Sequence, residues 1–304
     1  MRLDTTFSVV IPCYNYAHVV ERAIQSVFDQ GGDAFDVTAI NDGSTDASGE
    51  VLERCARARG PSLRVIHQEN RGLSAVRNRG TRETQGDYLI FLDADDELMP
   101  AAFSQFRRAI DATDRPAFVI GGHLAIHPKG GRKLHPQPAL PELREARFLR
   151  YIRNETKIMH GAAAMRRDAA VAIPFDESLR TGEDFLVFAI LLARYDCATI
   201  DVPVLCHHRH PGSLRHDVKA QEGSRERLPE LLFDQDRLPP SFARHRSEFA
   251  ARCALNLCRT YARAGRDRSA LGAYWRALAH DPRVALRPMA LREATRALRR
   301  WILS

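Results

Sequence analysis

What this chain has little of narrows its class first. No apolar stretch approaches the roughly 20 residues that span a bilayer. The Phe7–Ile11 run near the N-terminus is too short for the core of a signal peptide. The six cysteines, Cys13, Cys55, Cys197, Cys206, Cys253 and Cys258, show no CxxC spacing. That argues against a zinc ribbon or a disulfide framework and points to a reducing cytoplasm. Glycine-rich phosphate loops are missing as well. Pro12-Cys13-Tyr14-Asn15 stands where a dinucleotide fold needs GxGxxG, and GxxxxGK(S/T) occurs nowhere. Any bound phosphate must therefore be neutralised by something other than a glycine loop. Acids are the minority among the charges, leaving a formal net charge of +7 and a pI near 9.3. Such a balance suits an anionic partner, whether nucleotide, nucleic acid or acidic lipid.

What is present is organised around Tyr88-Leu89-Ile90-Phe91-Leu92-Asp93-Ala94-Asp95-Asp96-Glu97. An unbroken apolar run of strand length, rich in branched and aromatic residues, reads as a strand buried on both faces of a parallel sheet. Four acids in five residues then sit at its carboxyl end, the end where open α/β sheets bind ligands. Clustered carboxylates require a cation or protonation.

The stretches before it repeat one design. Phe7–Pro12 reads as a strand followed by an amphipathic helix to about Asp29. Asp36–Ile40 reads as a strand running into Asn41-Asp42-Gly43-Ser44-Thr45-Asp46, with a helix over Gly49–Arg59. Leu63–His67 makes a third strand, and Asn70-Arg71-Gly72-Leu73-Ser74-Ala75-Val76-Arg77-Asn78-Arg79-Gly80 a loop entering a helix. Strands alternating with helices predict βαβ units and a parallel sheet.

The ordered motifs SVVIPCYN, INDGSTD, NRGLSAVRNRG and LIFLDADDE resemble those of family 2 glycosyltransferases. The resemblance covers about two thirds of the chain. It implies the GT-A fold, an α/β, Rossmann-like, mostly parallel sheet flanked by helices. It further implies a nucleotide-sugar donor and Mg²⁺ or Mn²⁺ as cofactor. Pro12, Tyr14 and Asn15 would border the base and ribose, and Asp42 would accept a hydrogen bond from the base. Either Arg71 or Arg77 could meet the diphosphate. Asp93-Ala94-Asp95 would be the DxD motif, with Asp95 on the metal and Asp93 on the ribose or a metal-bound water. Asn41 departs from the pattern, where many members carry Asp. Asp96 and Glu97 have a simpler reading as first-turn or solvated loop acids.

Downstream, Pro116–Ile126 reads as a strand, and the region from Pro128 past Pro141 as a long polar connection. Glu183-Asp184 precedes an apolar helix, Phe185–Ala193. By the resemblance this is the Glu-Asp pair, with Asp184 as general base of an inverting transfer and Glu183 beside the donor. The plainer reading is that Thr181 and Asp184 cap the helix. If Val202–His210 begins as a strand, Cys206, His208 and His210 share a face. A zinc site, a single histidine (best His210) reaching the catalytic metal or the diphosphate, and ordinary exposed strand histidines are the three readings.

From about Arg244 the chain is helical, with Tyr261, Ala270, Tyr274, Ala277 and Pro282 spaced as one tetratricopeptide-like unit and Gly265 in its turn. A final segment places Leu291, Ala294, Leu298, Trp301 and Ile302 opposite Arg292, Arg296, Arg299 and Arg300. It reads either as a membrane-surface helix or as a packed terminal helix with a solvated basic side. The expected division is a GT-A domain over 1–218, split into a nucleotide half (1–126) and an acceptor half (127–218), and a helical region over 219–304.

Rival readings fit less well. A haloacid-dehalogenase-type phosphatase would open its fold with the DxD. A calcium loop needs glycine where Leu98 stands and glutamate where Ser104 stands. Nucleic-acid binding has only charge behind it. The processive synthases' QxxRW is absent, since Ala297 stands where Gln is needed before Arg300-Trp301. The expectation is a cytoplasmic or inner-face peripheral enzyme making single additions to a glycan or lipid-linked acceptor in bacterial surface polysaccharide synthesis. The alternative is a non-catalytic sugar-nucleotide or carbohydrate-binding protein on the same fold.

Overall fold

The structure is a computed structural model and describes residues 5–32, 34–210, 218–234 and 236–303. The chain forms two compact units, interleaved in sequence. The first comprises 1–147, 156–177 and 195–210, and the second 148–155, 178–194 and 211–304. This grouping differs from a linear cut at 218 in placing the Glu183-Asp184 helix with the C-terminal helices.

The first unit is built on a sheet of nine strands among the described residues. In chain order they are β1 (Phe7–Cys13), β2 (Phe35–Asp42), β3 (Leu63–Gln68), β4 (Tyr88–Phe91), β5 (Glu97–Leu98), β6 (Phe118–Ile126), β7 (Arg132–His135), β8 (Ala163–Arg166) and β9 (Cys197–His208). The spatial order is β3-β2-β1-β4-β8-β6-β9-β5, with β7 paired to β6. The β3-β2-β1-β4 half is all parallel, as the alternating pattern predicts. Beyond β4 the sheet is mixed: β8 is antiparallel to both β4 and β6, β9 is parallel to β6, and β5 is antiparallel to β9. A mostly parallel sheet thus describes β3-β2-β1-β4, and the sheet as a whole is mixed. The polar connection after β6 also folds back, as the antiparallel strand β7.

Every residue of β1 and β4 is buried. Both strands carry continuous apolar runs because helices α1 (Val20–Phe28), α2 (Ser48–Arg59), α3 (Leu73–Glu83) and α4 (Ala102–Ala112) cover the sheet. Packing is close where α3 crosses β1. A Cβ built on Gly80 would meet Val10 Cγ1 at 2.4 Å, so only glycine lets the helix approach.

Helix α5 (Arg144–Ile152) crosses the boundary between the units, and the short α6 (Arg167–Ala172) belongs to the first. The second unit holds α7 (Glu183–Arg194), α8 (Val218–Leu232), α9 (Arg246–Arg263), α10 (Asp267–His280), α11 (Pro282–Ala285) and α12 (Pro288–Leu303). Tyr261, Ala270, Tyr274 and Ala277 are buried in one cluster between α9 and α10, and Gly265 takes a φ of 71° in the connecting turn. A second apolar cluster stacks Tyr151 on Phe185 at 4.7 Å and Phe185 on Phe249 at 5.3 Å. No helix among the described residues is long and apolar enough to cross a membrane.

Candidate active site

The loops after β1 and β2 are sewn together by Asn15. It sits at φ 62°, a left-handed conformation that asparagine tolerates better than most residues. Its side-chain oxygen accepts from Thr45 N–H at 2.8 Å and Asp46 N–H at 3.3 Å, and its own N–H donates to Ser44 Oγ at 3.0 Å. Pro12 is buried beneath, while Tyr14 stays 45% exposed. Asp42 is buried at the end of β2. One of its oxygens accepts from Gln68 Nε2 (2.7 Å) and Arg71 N–H (2.9 Å), and the other from Gly72 N–H (2.9 Å). A carboxylate has about four acceptor positions. Three are used, which leaves one for a ligand. Gly43, at φ 69°, keeps this loop against Asn70, whose N a Cβ would meet at 2.7 Å. Arg71 is exposed and reaches Glu177 at 3.4 Å.

Asn41 has a clear role. Its Oδ1 accepts Ser44 N–H at 3.1 Å, which orients the amide so that Nδ2 faces His67 Nδ1 at 3.0 Å. His67 Nδ1 must then accept, and Nε2–H donates to Glu53 at 2.8 Å.

The acidic stretch is held by the end of β9, running antiparallel to it with Glu97 opposite Cys206 and Leu98 opposite Leu205. Three of the four acids meet a histidine. His210 Nε2 lies 2.7 Å from Asp95 Oδ2, His208 Nε2 lies 2.6 Å from Glu97 Oε1, and His207 Nδ1 lies 3.1 Å from both Asp96 oxygens. Cys206, His208 and His210 therefore do share a side, but they are strung out along Met99, Glu97 and Asp95. They do not converge. The zinc reading is overturned by this spread, and no cluster of three His, Cys, Asp or Glu suited to a metal occurs among the described residues.

Asp96 also departs from expectation. Instead of a solvated or first-turn acid it is a buried strut, accepting from His208 N–H at 2.9 Å as well as from His207, and burial raises its pKa against those bonds. Glu97, also expected in solvent, is paired with His208 and with Arg22 Nε at 3.1 Å.

Asp93 keeps 38% of its side-chain surface exposed while Arg77, only 2% exposed, bonds it at 3.1 Å from beneath. Burial pushes the Asp93 carboxyl up to about 6, with Arg77 opposing and the Asp96 and Asp95 charges adding to the rise. Arg77 lies over the Phe175 ring at 5.5 Å. Of the two arginines that the sequence offers for a diphosphate, Arg77 is thus the buried one and Arg71 the exposed one. Ala94 is buried between the two motif acids.

The family model described as Glycosyl transferase family 2 matches residues 8–172, more than half of the chain. The chain belongs to glycosyl transferase family 2. Among its relatives, the glycosyltransferase EpsJ of Bacillus subtilis is 30% identical over 58% of this chain and 53% of its own length. The succinoglycan biosynthesis protein ExoO of Rhizobium meliloti is 31% identical over 62% of this chain and 56% of its own. The chain thus spans about half the length of these relatives. In fold, the crystal structure of S. aureus TarS in complex with UDP-GlcNAc is similar over 98% of this chain and 89% of that one, with a TM-score of 0.71 at 17% identity. A mannosyltransferase from Pyrobaculum calidifontis in complex with GDP-Man and Mn²⁺ covers 98% of this chain and 85% of its own, with a TM-score of 0.61 at 16% identity. The fold is GT-A.

In this family 2 chain the two remaining candidates, Glu183 and Asp184, open α7 in the second unit. Glu183 is buried and Asp184 half-buried, its Oδ1 accepting from the Phe185 N–H at 2.6 Å. The Thr181 hydroxyl donates to the Ala220 carbonyl at 3.2 Å.

Asp95 supplies a carboxylate oxygen, the ligand type that Mg²⁺ and Mn²⁺ take with waters and phosphate oxygens in the remaining positions, and His210 Nε2 lies 2.7 Å from that oxygen.

Several residues of the site carried no signal in sequence. Arg22, on the outer side of α1, donates to the Asp95 carbonyl at 2.8 Å. Tyr16 meets the His210 ring edge-on at 6.3 Å, and burial followed by the charges of Asp95, Asp93 and Asp96 holds its phenol well above its ordinary pKa.

Proposed function

We propose that this chain transfers a sugar, with inversion, from a nucleotide-diphosphate donor, a UDP-sugar foremost, to a hydroxyl of a glycan or lipid-linked acceptor, one residue at a time. The observation that carries the reading is the DxD segment itself: Asp93 backed by Arg77 and Asp95 beside His210, at the end of the β4 strand that neighbours the Asn15/Asp42 loops. In this reading Tyr14 stacks on the base, and the free acceptor position of Asp42 receives a base N–H. Arg71 faces the diphosphate, and Arg77 works through Asp93, holding it toward the ribose. Asp95 and His210 would hold Mg²⁺ or Mn²⁺. When bound, that ion supplies Lewis-acid neutralisation of the departing diphosphate.

Asp184 takes the acceptor proton while the acceptor oxygen bonds the anomeric carbon and the bond to the diphosphate oxygen breaks, with Glu183 beside the donor. UDP-GlcNAc and GDP-Man with Mn²⁺ in the similar structures support a sugar nucleotide and a metal. The name of ExoO supports polysaccharide synthesis, which we place at the inner face of the cell membrane.

A panel of UDP-, GDP- and dTDP-sugars assayed with Mn²⁺ tests the reading. The Asp184→Asn variant should bind donor as the parent does yet lose transfer by about 100-fold or more. Undiminished turnover in that variant would remove Asp184 from the role of base.

A further inference from the structure

The way α12 packs is inverted relative to an ordinary terminal helix. Its buried face is made of small residues, Ala290, Ala294 and Ala297, which close against the cluster between α9 and α10. Its large apolar residues are outside instead: Met289 is 62%, Leu298 42% and Trp301 51% exposed, with Leu291 also exposed and Leu286 just before the helix. Single exposed apolar residues are ordinary, but several of them on one helix and its entry call for a partner. The sequence pattern had set Leu291, Ala294, Leu298, Trp301 and Ile302 on one face, the side chain of Ile302 lying outside the described residues. The structure splits that face, turning Ala294 inward and leaving the leucines and the tryptophan at the surface.

The charges around them have one sign. From Pro282 onward the sequence carries Arg283, Arg287, Arg292, Arg296, Arg299 and Arg300 against a single acid, Glu293. That acid is taken up by Arg259 at 2.8 Å, and of the arginines Arg300 is taken up by Asp267 at 2.7 Å. Arg287, Arg292, Arg296 and Arg299 are exposed. Leucines and a tryptophan between arginines are the composition of a helix lying in a lipid headgroup layer, apolar side chains dipping below and guanidinium groups at phosphate level. A second copy of this surface would set arginine against arginine and is disfavoured.

We propose that α12 is a docking surface for an anionic phospholipid bilayer. It lies flat, with Leu291, Leu298 and Trp301 inserted and Arg292, Arg296 and Arg299 on the lipid phosphates. This deepens the inner-face placement proposed above and rests on it only for its biological setting.

The test uses the full chain carrying Trp275→Phe, so that Trp301 is the single tryptophan. It is mixed with vesicles of phosphatidylcholine and phosphatidylglycerol at 7:3, and with pure phosphatidylcholine. Cosedimentation and a blue shift of Trp301 fluorescence are expected with the anionic vesicles only, and both should weaken with salt. Arg292→Gln/Arg299→Gln should reduce partitioning by about thirtyfold, since each arginine near such a surface contributes roughly fivefold. Leu298→Glu should abolish the blue shift. All these positions are exposed, so thermal melts should match the parent. Absence of binding to anionic vesicles would overturn the proposal, as would equal binding by the double variant or α12-dependent dimers without vesicle binding. Donor turnover with a water-soluble acceptor is read in parallel. Its loss in the parent protein would count against the transferase reading, while vesicle binding alone decides the docking surface.

Discussion

At the scale of single residues, the site's economy is clearest in Asp42. One carboxylate fixes the loop before α3 through two backbone N–H groups, fixes Gln68, and still presents an acceptor. An amide at this position must turn its NH₂ toward one of those donors. Asp42→Asn should therefore lower stability by about 1–3 kcal/mol, the usual penalty of a buried unsatisfied donor, and weaken nucleotide binding together with it. Thermal melts with and without nucleotide read both effects. Asp42, Asn15, Asp93 and Asp95 were legible in sequence because each follows a strand in an ordered motif. Asp96 was not. Its burial depends on His207 and the His208 N–H, more than a hundred residues along the chain, and no local pattern reports such a partner.

At the scale of elements, the parallel strands β1 to β4 announced themselves through apolar runs that end in polar loops. β8 and β9 did not. β8 enters the sheet antiparallel between β4 and β6 as four residues without alternation. The pairing of β9 with β6 jumps twice, from Gly121 opposite Ile200 to Gly122 opposite Pro203 and His123 opposite Leu205. Those bulges precede Cys206, and the regular pairing after them keeps alternation intact over Cys206–His208, so the pattern gave the shared side but not the separate partners along it.

In the second unit, Glu248 in the first turn of α9 bonds Arg153, just after α5, at 2.8 and 2.9 Å, and Arg252 at 3.0 Å. The Arg153 bonds hold the Glu248 carboxyl down at about 2, burial opposing and Arg252 assisting. A depressed carboxyl stabilises the fold above its unfolded pKa and loses that contribution as pH falls through the folded one. Glu248→Gln should therefore cost about 2 kcal/mol at pH 7, a difference that shrinks below pH 4.5 and is gone near pH 2. A melting curve of each protein across that range checks it.

At the scale of the whole molecule, family and fold were readable because four motifs occur in order over the span that the family model matches, residues 8–172. The grouping of α7 with the C-terminal helices was not, because the three segments of the second unit are far apart in sequence and apolar periodicity carries no partner information. The role proposed for the acids at the end of β4 is to hold a sugar nucleotide through a divalent cation. Calorimetric titration of UDP and UDP-sugars decides it, run with Mn²⁺, with chelator, and on Asp95→Ala. Binding should be at least about tenfold weaker in chelator, a loss of about 1.4 kcal/mol, with Asp95→Ala weak and indifferent to Mn²⁺. Equal affinity with and without the metal, or a Mn²⁺ response preserved in Asp95→Ala, would contradict it.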